Sequence, residues 1–98
     1  MTLTLKDQLD LTAIRKQFPV LDQSVNGNPL IYFDNAATTQ KPLAVISEIS
    51  RYYTEDNANI HRGIHTLAER ATAAYENTRK SIAQFINANE SEEIIFTK

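Results

Sequence analysis

The sequence predicts an α/β chain in which a short helix, a β-hairpin and two amphipathic helices lead into one strand of a larger sheet. Three observations predict it. An Asn26-Gly27 turn signal precedes an apolar run at residues 30–33, apolar residues recur at helical spacing after Pro42 and again after Thr66, and Ile94-Ile95-Phe96 forms an unbroken apolar triplet. Such a triplet suits a strand covered on both faces, and a strand of that kind needs neighbours. Residues 1–98 are therefore expected to be the opening segment of a domain that continues past Lys98. At 98 residues, 42% of them apolar, the chain holds at most one small domain.

Taken in order, Asp10 is suited to cap a short helix running to Phe18, with Ile14 and Phe18 on one face and Pro19 ending it. The Asn-Gly turn then predicts a hairpin between residues 24–25 and 30–33, whose second strand delivers Asp34 to a polar turn. From Pro42 to about residue 55, Leu43, Ile46, Ile49 or Ser50, and Tyr53, with Val45 and Tyr52 widening the stripe, mark a helix with one buried face. Asp56-Asn57-Ala58-Asn59 breaks that pattern, and Gly63 makes residues 60–65 a loop. Thr66-Leu67-Ala68-Glu69 reads as a capping box opening a helix of about twenty residues, roughly 30 Å at 1.5 Å each. Its apolar face is expected to carry Leu67, Ala71, Ala74 or Tyr75, Thr78, Ile82, and Phe85 or Ile86, with Ala68 on its surface. Asn87-Ala88-Asn89 stops it ahead of a strand at residues 92–97.

Composition removes several functions. A net charge of −2 with mixed signs leaves no basic face for nucleic acid, and no segment is long and apolar enough to span a bilayer. The first ten residues lack the basic start and apolar core of a secretory signal, which makes the cytoplasm the expected compartment and the Asn89-Glu90-Ser91 tripeptide a chance match. With no cysteine there is no disulfide, thiolate site or cysteine nucleophile in these residues. His61 and His65 stand four apart, but Arg62 replaces the glutamate of a helical zinc motif and Gly63 interrupts it, so a metal is not expected. Two isolated glycines make neither a phosphate loop nor a dinucleotide fingerprint.

Two stretches remain that could carry chemistry. The turn at residues 34–40 joins small residues, which leave backbone N–H groups accessible, to Asp34, Asn35, Thr38, Thr39 and Gln40; it is either a ligand turn or a plain connection from strand to helix. The loop His61-Arg62-Gly63-Ile64-His65 offers a cation and two imidazoles, which suit a carboxylate or phosphate, or equally a helix cap or subunit contact.

The run Val25-Asn26-Gly27-Asn28-Pro29-Leu30-Ile31-Tyr32-Phe33-Asp34-Asn35-Ala36-Ala37-Thr38-Thr39-Gln40-Lys41-Pro42 and the later His61-Arg62-Gly63-Ile64-His65-Thr66-Leu67-Ala68 resemble the N-terminal segment of the Suf-type cysteine desulfurases. These are pyridoxal-phosphate enzymes of the class V aminotransferase group, and the first motif recurs across that group while the second resembles the Suf-type branch. The resemblance implies the N-terminal part of a fold-type I pyridoxal-phosphate transferase and a homodimer with its active site between subunits. It implies removal of sulfur from L-cysteine as an enzyme persulfide, leaving alanine, with a sulfur-acceptor protein of the Suf system drawing on it for iron–sulfur cluster assembly. By position it places Asn35 and Ala36 beside the substrate, and His61 and Arg62 at the active-site entrance. The Schiff-base lysine and the nucleophilic cysteine of the group fall beyond Lys98, so the chain alone is expected to be inactive. Lys6, Lys16, Lys41, Lys80 and Lys98 have no context suited to a Schiff base. The alternatives are another class V enzyme, such as an aminotransferase or a kynureninase-like lyase, and a non-enzymatic remnant or interaction module.

Overall fold

A computed structural model of the chain describes residues 9–98. Lys6 and the greater part of the segment read above against a secretory signal lie outside the described residues. The chain forms two compact units, Met1–Ser50 and Arg51–Lys98.

In the first unit Asp10 caps α1 (Leu11–Lys16), its side chain accepting the Ala13 N–H at 3.0 Å. Phe18 is extended, as a residue before proline must be, and Pro19–Leu21 forms a single 3₁₀ turn. Strands β1 (Ser24–Val25) and β2 (Asn28–Pro29) pair antiparallel, Ser24 opposite Pro29 and Val25 opposite Asn28. Asn26 and Gly27 both have positive φ, 53° and 78°, as a two-residue hairpin turn of type I′ requires. The second strand is shorter and earlier than residues 30–33. The ladder reaches Leu30, whose N–H donates to the Gln23 carbonyl at 3.0 Å, but the Leu30 carbonyl is taken by the Arg15 guanidinium at 2.7 Å and pairing stops there. Phe33 is left 94% exposed.

Helix α2 (Leu43–Arg51) opens on the Pro42 carbonyl, which accepts the Ile46 N–H at 3.2 Å, while the Leu43 N–H anchors the helix start to the Gln17 carbonyl at 2.7 Å. Its apolar stripe is present, but Leu43, Val45, Ile46 and Ile49 remain exposed, so the face expected to be buried has no cover among the described residues.

The second unit begins with a wide π-helical turn, Tyr52–Asp56. That turn brings Asp56, only 7% exposed, between two arginines: Arg51 donates to one carboxylate oxygen at 2.6 Å and Arg70 to the other at 3.1 Å. Helix α3 (Thr66–Phe85) has the expected length of twenty residues but a different cap. His65 stands at the N-cap and its Nδ1 accepts the Ala68 N–H at 3.3 Å, so Thr66 is the first helical residue rather than the cap of a Thr-Glu box. At the far end Asn87 adopts φ 57°, and the Asn87 and Ala88 N–H groups return to the Gln84 and Ala83 carbonyls at 3.2 and 2.8 Å, the two bonds of a Schellman stop.

A 3₁₀ turn, Ser91–Glu93, follows, closed by Glu90 and Glu93 in a reciprocal capping box. Ile94 is extended and buried, yet residues 94–98 form no strand. A strand exists only through ladder partners; here the Ile94 carbonyl is bound by the Arg79 guanidinium instead. The face of α3 turned inward is Ala68, Ala71, Tyr75, Arg79 and Ala83, rotated from the expected ridge, so Leu67 and Phe85 stay exposed and Ala68 is wholly buried. No helix among the described residues is long and apolar enough to cross a membrane.

The two guanidinium hydrogen bonds, first Arg51 and then Arg70, hold the Asp56 carboxyl below its ordinary value of 3.8. A carboxylate depressed in the folded state contributes stability that is fully present above the unfolded value and is lost as pH falls through the folded one. In the full-length protein, Asp56→Asn is expected to lower the melting temperature at neutral pH and to flatten the acid limb of a melting-temperature profile below about pH 4. An unchanged acid limb would remove Asp56 from that role.

Candidate functional site

The polar turn of the first unit is held from within. The Tyr32 hydroxyl lies 2.7 Å from the carbonyl oxygens of both Asp34 and Thr38, fastening the ends of the turn to one ring. Asn35 closes the loop from both sides: its Oδ1 accepts the Gln40 N–H at 3.1 Å and its carbonyl accepts the Thr39 hydroxyl at 2.9 Å. The Asn35 amide nitrogen and the Ala36 N–H make no hydrogen bond among the described residues, so each is a donor open to a ligand. A cavity of about 270 Å³ lies alongside, lined by Arg15, Phe18, Tyr32, Asn35, Thr39 and Gln40. Its one cation, Arg15, is already engaged by the Leu30 carbonyl.

In the second unit the loop before α3 is fixed residue by residue. His61 sits in the left-handed region, φ 61°, which is uncommon for a residue with a side chain, and three contacts hold it there. Its N–H donates to the Thr72 hydroxyl oxygen at 2.9 Å, its Nε2 meets Glu76 Oε1 at 2.7 Å, and its ring packs edge-on against Tyr75 at 5.6 Å. Since a carboxylate only accepts, Nε2 carries the proton in that bond. The second Glu76 oxygen takes Arg79 Nε at 3.1 Å, and the Arg79 guanidinium lies over the rings of Tyr75 and Phe96 at 5.4 and 5.1 Å. The hydrogen bond from His61, followed by that from Arg79, holds the Glu76 carboxyl below its ordinary range.

Arg62 follows directly. It is exposed and makes no ion pair or hydrogen bond among the described residues, unlike Arg51, Arg70 and Arg79. Gly63 is required by space: a Cβ there would stand 2.3 Å from the Ala68 Cβ and 3.0 Å from His65 Nε2. His61 and His65 thus do different work, one bound to Glu76 and the other capping α3. Among the described residues no group of three or more His, Cys, Asp or Glu side chains could hold a metal ion.

Asn35 and Ala36 therefore lie on one built turn, and His61 and Arg62 on one built loop. Sequence reasoning missed Asp56, Thr72, Glu76 and Arg79. The spacing of Glu76 and Arg79 along one face of a helix signals an ion pair, but nothing in the sequence indicates that the pair reaches back fifteen residues to His61.

The sequence profile of the aminotransferase class V family matches residues 31–98, more than half of the chain and both of these stretches. The chain belongs to the class V aminotransferase family. Within this class V group it is 58% identical over 90 residues to a probable cysteine desulfurase of Vibrio cholerae, the match covering 92% of this chain and 22% of that protein. It is 57% identical over 91 residues to a probable cysteine desulfurase of Streptomyces coelicolor, with the same coverage. The apo structure of the cysteine desulfurase from Thermococcus onnurineus superposes with a TM-score of 0.74 at 43% identity, over 90% of this chain and 20% of that one. The chain thus spans about a fifth of the length of these relatives and has the fold of part of a fold-type I pyridoxal-phosphate transferase, as the sequence predicts.

Proposed function

We propose that this chain is the N-terminal segment of a Suf-type cysteine desulfurase. The complete protein is a cytoplasmic homodimer that converts L-cysteine to L-alanine, leaving the sulfur as an enzyme persulfide for a Suf acceptor protein and iron–sulfur cluster assembly. The identity to desulfurases across nearly the whole chain supports the reading. The observation that carries it is the loop in which a tightly held His61 presents Arg62, a cation with no partner of its own among the described residues.

When bound, pyridoxal phosphate supplies an electron sink for such chemistry, but the described residues of this chain do not form its site. A Schiff-base lysine is activated by desolvation or by a neighbouring cation. Lys16, Lys41, Lys80 and Lys98 are all exposed, and Lys41 donates to the Thr39 carbonyl. With no cysteine present, the persulfide sulfur also belongs to another segment of the protein. What these residues do is bind and orient. Arg62 offers a charge-assisted contact to the substrate carboxylate or the persulfide path, while Asn35 and Ala36 offer neutral donors from a turn whose shape Tyr32 fixes.

Supplying L-cysteine to the full-length protein and measuring alanine and protein-bound persulfide tests the reading directly. Transamination or lyase products without persulfide would move the function elsewhere in the class V group. In that assay Arg62→Ala is expected to reduce kcat/KM by about 10- to 150-fold, the equivalent of about 1.5–3 kcal/mol for a contact to a charged group, whereas Lys80→Ala on the exposed face of α3 leaves it unchanged. Ala68→Ser is no surface control, because Ala68 is buried. Equal kinetics for the arginine and lysine variants would deny Arg62 a part in turnover.

A further inference from the structure

We propose that Glu76 is a positioning residue for the reaction: it holds His61, and through His61 sets where the adjoining Arg62 side chain points. The inference rests on the role given to Arg62 above and extends it to a residue on α3, fifteen positions along the chain from the loop histidine it holds.

The geometry points to Glu76 for three reasons. The φ of 61° at His61 is an uncommon backbone conformation for a residue with a side chain, and a change in it would redirect the next residue, Arg62. Of the supports, the Thr72 bond fixes the backbone and the Tyr75 contact is a ring edge; the Glu76 bond, 2.7 Å from Nε2, is the one that fixes the direction of the imidazole. Glu76 is itself immobilised, since its other oxygen is held by Arg79, which is stacked on Tyr75 and Phe96 and bound to the Ile94 carbonyl. The loop thereby takes its position from α3 and from Ile94 and Phe96, which hold Arg79. An unsupported surface loop would leave an unpaired arginine to sample many directions, at a cost in orientation for any step it assists.

The test uses the full-length protein carrying its cofactor. Glu76→Gln keeps the size of the side chain but has one acceptor oxygen; the Arg79 guanidinium, which can only donate, claims it, so the N–H₂ group faces His61 and the bond from Nε2–H is lost. The expected result is a loss of about ten-fold in kcat/KM for L-cysteine with cofactor absorbance retained. The same substitution added to Arg62→Ala is expected to change nothing further, because the residue it positions is gone. Nitrogen-15 spectra of the imidazole should show His61 protonated at Nε2 in the parent and that preference lost in the variant. If the glutamine variant does not fold, Glu76→Asp keeps the charge for Arg79, withdraws the oxygen from His61 by one methylene, and carries the same expectation. Wild-type kinetics for Glu76→Gln beside an impaired Arg62→Ala would overturn this proposal alone. So would an undiminished loss in the Arg62→Ala background, which would make Glu76 a structural residue. A fully active Arg62→Ala would overturn the role of Arg62 and this proposal together.

Discussion

Prepared as an isolated polypeptide, the 98-residue chain is expected to melt without a sharp transition and to sediment as self-associated species. Its buried hydrophobic residues among those described are Ala68, Ala71, Ala83 and Ile94, and no large side chain is fully buried. Three alanines bring little apolar area, at about 25 cal/mol per Å², against about 1–2 kcal/mol of backbone entropy for each residue ordered. Meanwhile Ile46 and Ile49 on α2, Phe85 on α3 and Ile95 in the last segment all face solvent. Apolar surface on that scale is covered by another part of a protein or by another molecule. Thermal melts followed by circular dichroism, paired with sedimentation velocity, check the expectation. A cooperative melt from a monomer would show that the alanine-lined core suffices, and would favour a self-standing module over a segment of an enzyme.

Gly63→Ala in the full-length protein is expected to destabilise it by about 1–3 kcal/mol, the usual range for overpacking, and to impair turnover through the loop. The added methyl would lie 2.3 Å from the Ala68 Cβ, which is part of the backbone-fixed surface of α3 and cannot rotate away, and 3.0 Å from the imidazole that caps the helix. Relief must come from moving residues 61–65, which costs the His65 cap and the placement of Arg62. The rescue is specific: Ala68→Gly removes the opposing methyl, so the double variant should recover loop geometry and activity while retaining about 1 kcal/mol of helix destabilisation from a mid-turn glycine. Chemical denaturation and kcat/KM read the two effects separately. A Gly63→Ala protein as stable and active as its parent would show that the close approach is absent in solution.

The local signals in the sequence were sound wherever a few adjacent residues decide the outcome. Asp10 caps α1, Asn26-Gly27 makes the hairpin turn, Asn87 ends α3 after twenty residues, and residues 60–65 form a loop. The departures arise where a distant residue competes. Arg15 takes the Leu30 carbonyl and shortens the second strand, Arg79 takes the Ile94 carbonyl where a ladder partner was expected, and His65 supplies an imidazole acceptor where the capping rules favour a hydroxyl. Periodicity gave α3 an apolar face but not the phase at which it packs. The inward residue Ala68 reads like a surface alanine, because no spacing rule shows that the chain at Gly63 passes so near it that a Cβ there would not fit. In the candidate site, the polar turn and the loop at residues 60–65 are legible as turn and loop from residue type, whereas the Glu76–Arg79 support is not, since hydrogen bonds spanning fifteen positions leave no spacing rule to read.

The wide turn at Tyr52–Asp56 also bears on how the length of such a chain could vary through descent. Arg51 reaches residues at two separations, Glu55 at 3.4 Å and Asp56 at 2.6 Å, so one guanidinium spans both an ordinary helical turn and a turn wider by one residue. Removing a single residue between positions 52 and 55 would bring the aspartate to the separation now held by Glu55, still within reach of Arg51. The joint can thus lose one residue while keeping an ion pair to Arg51, and what such a deletion would change is angular: the chain leaving the helix would depart about 100° short of its present direction round the axis. Homologous chains differing in length by one residue should therefore carry the difference here rather than inside α3, where the His65 cap and the Asn87 stop fix both ends.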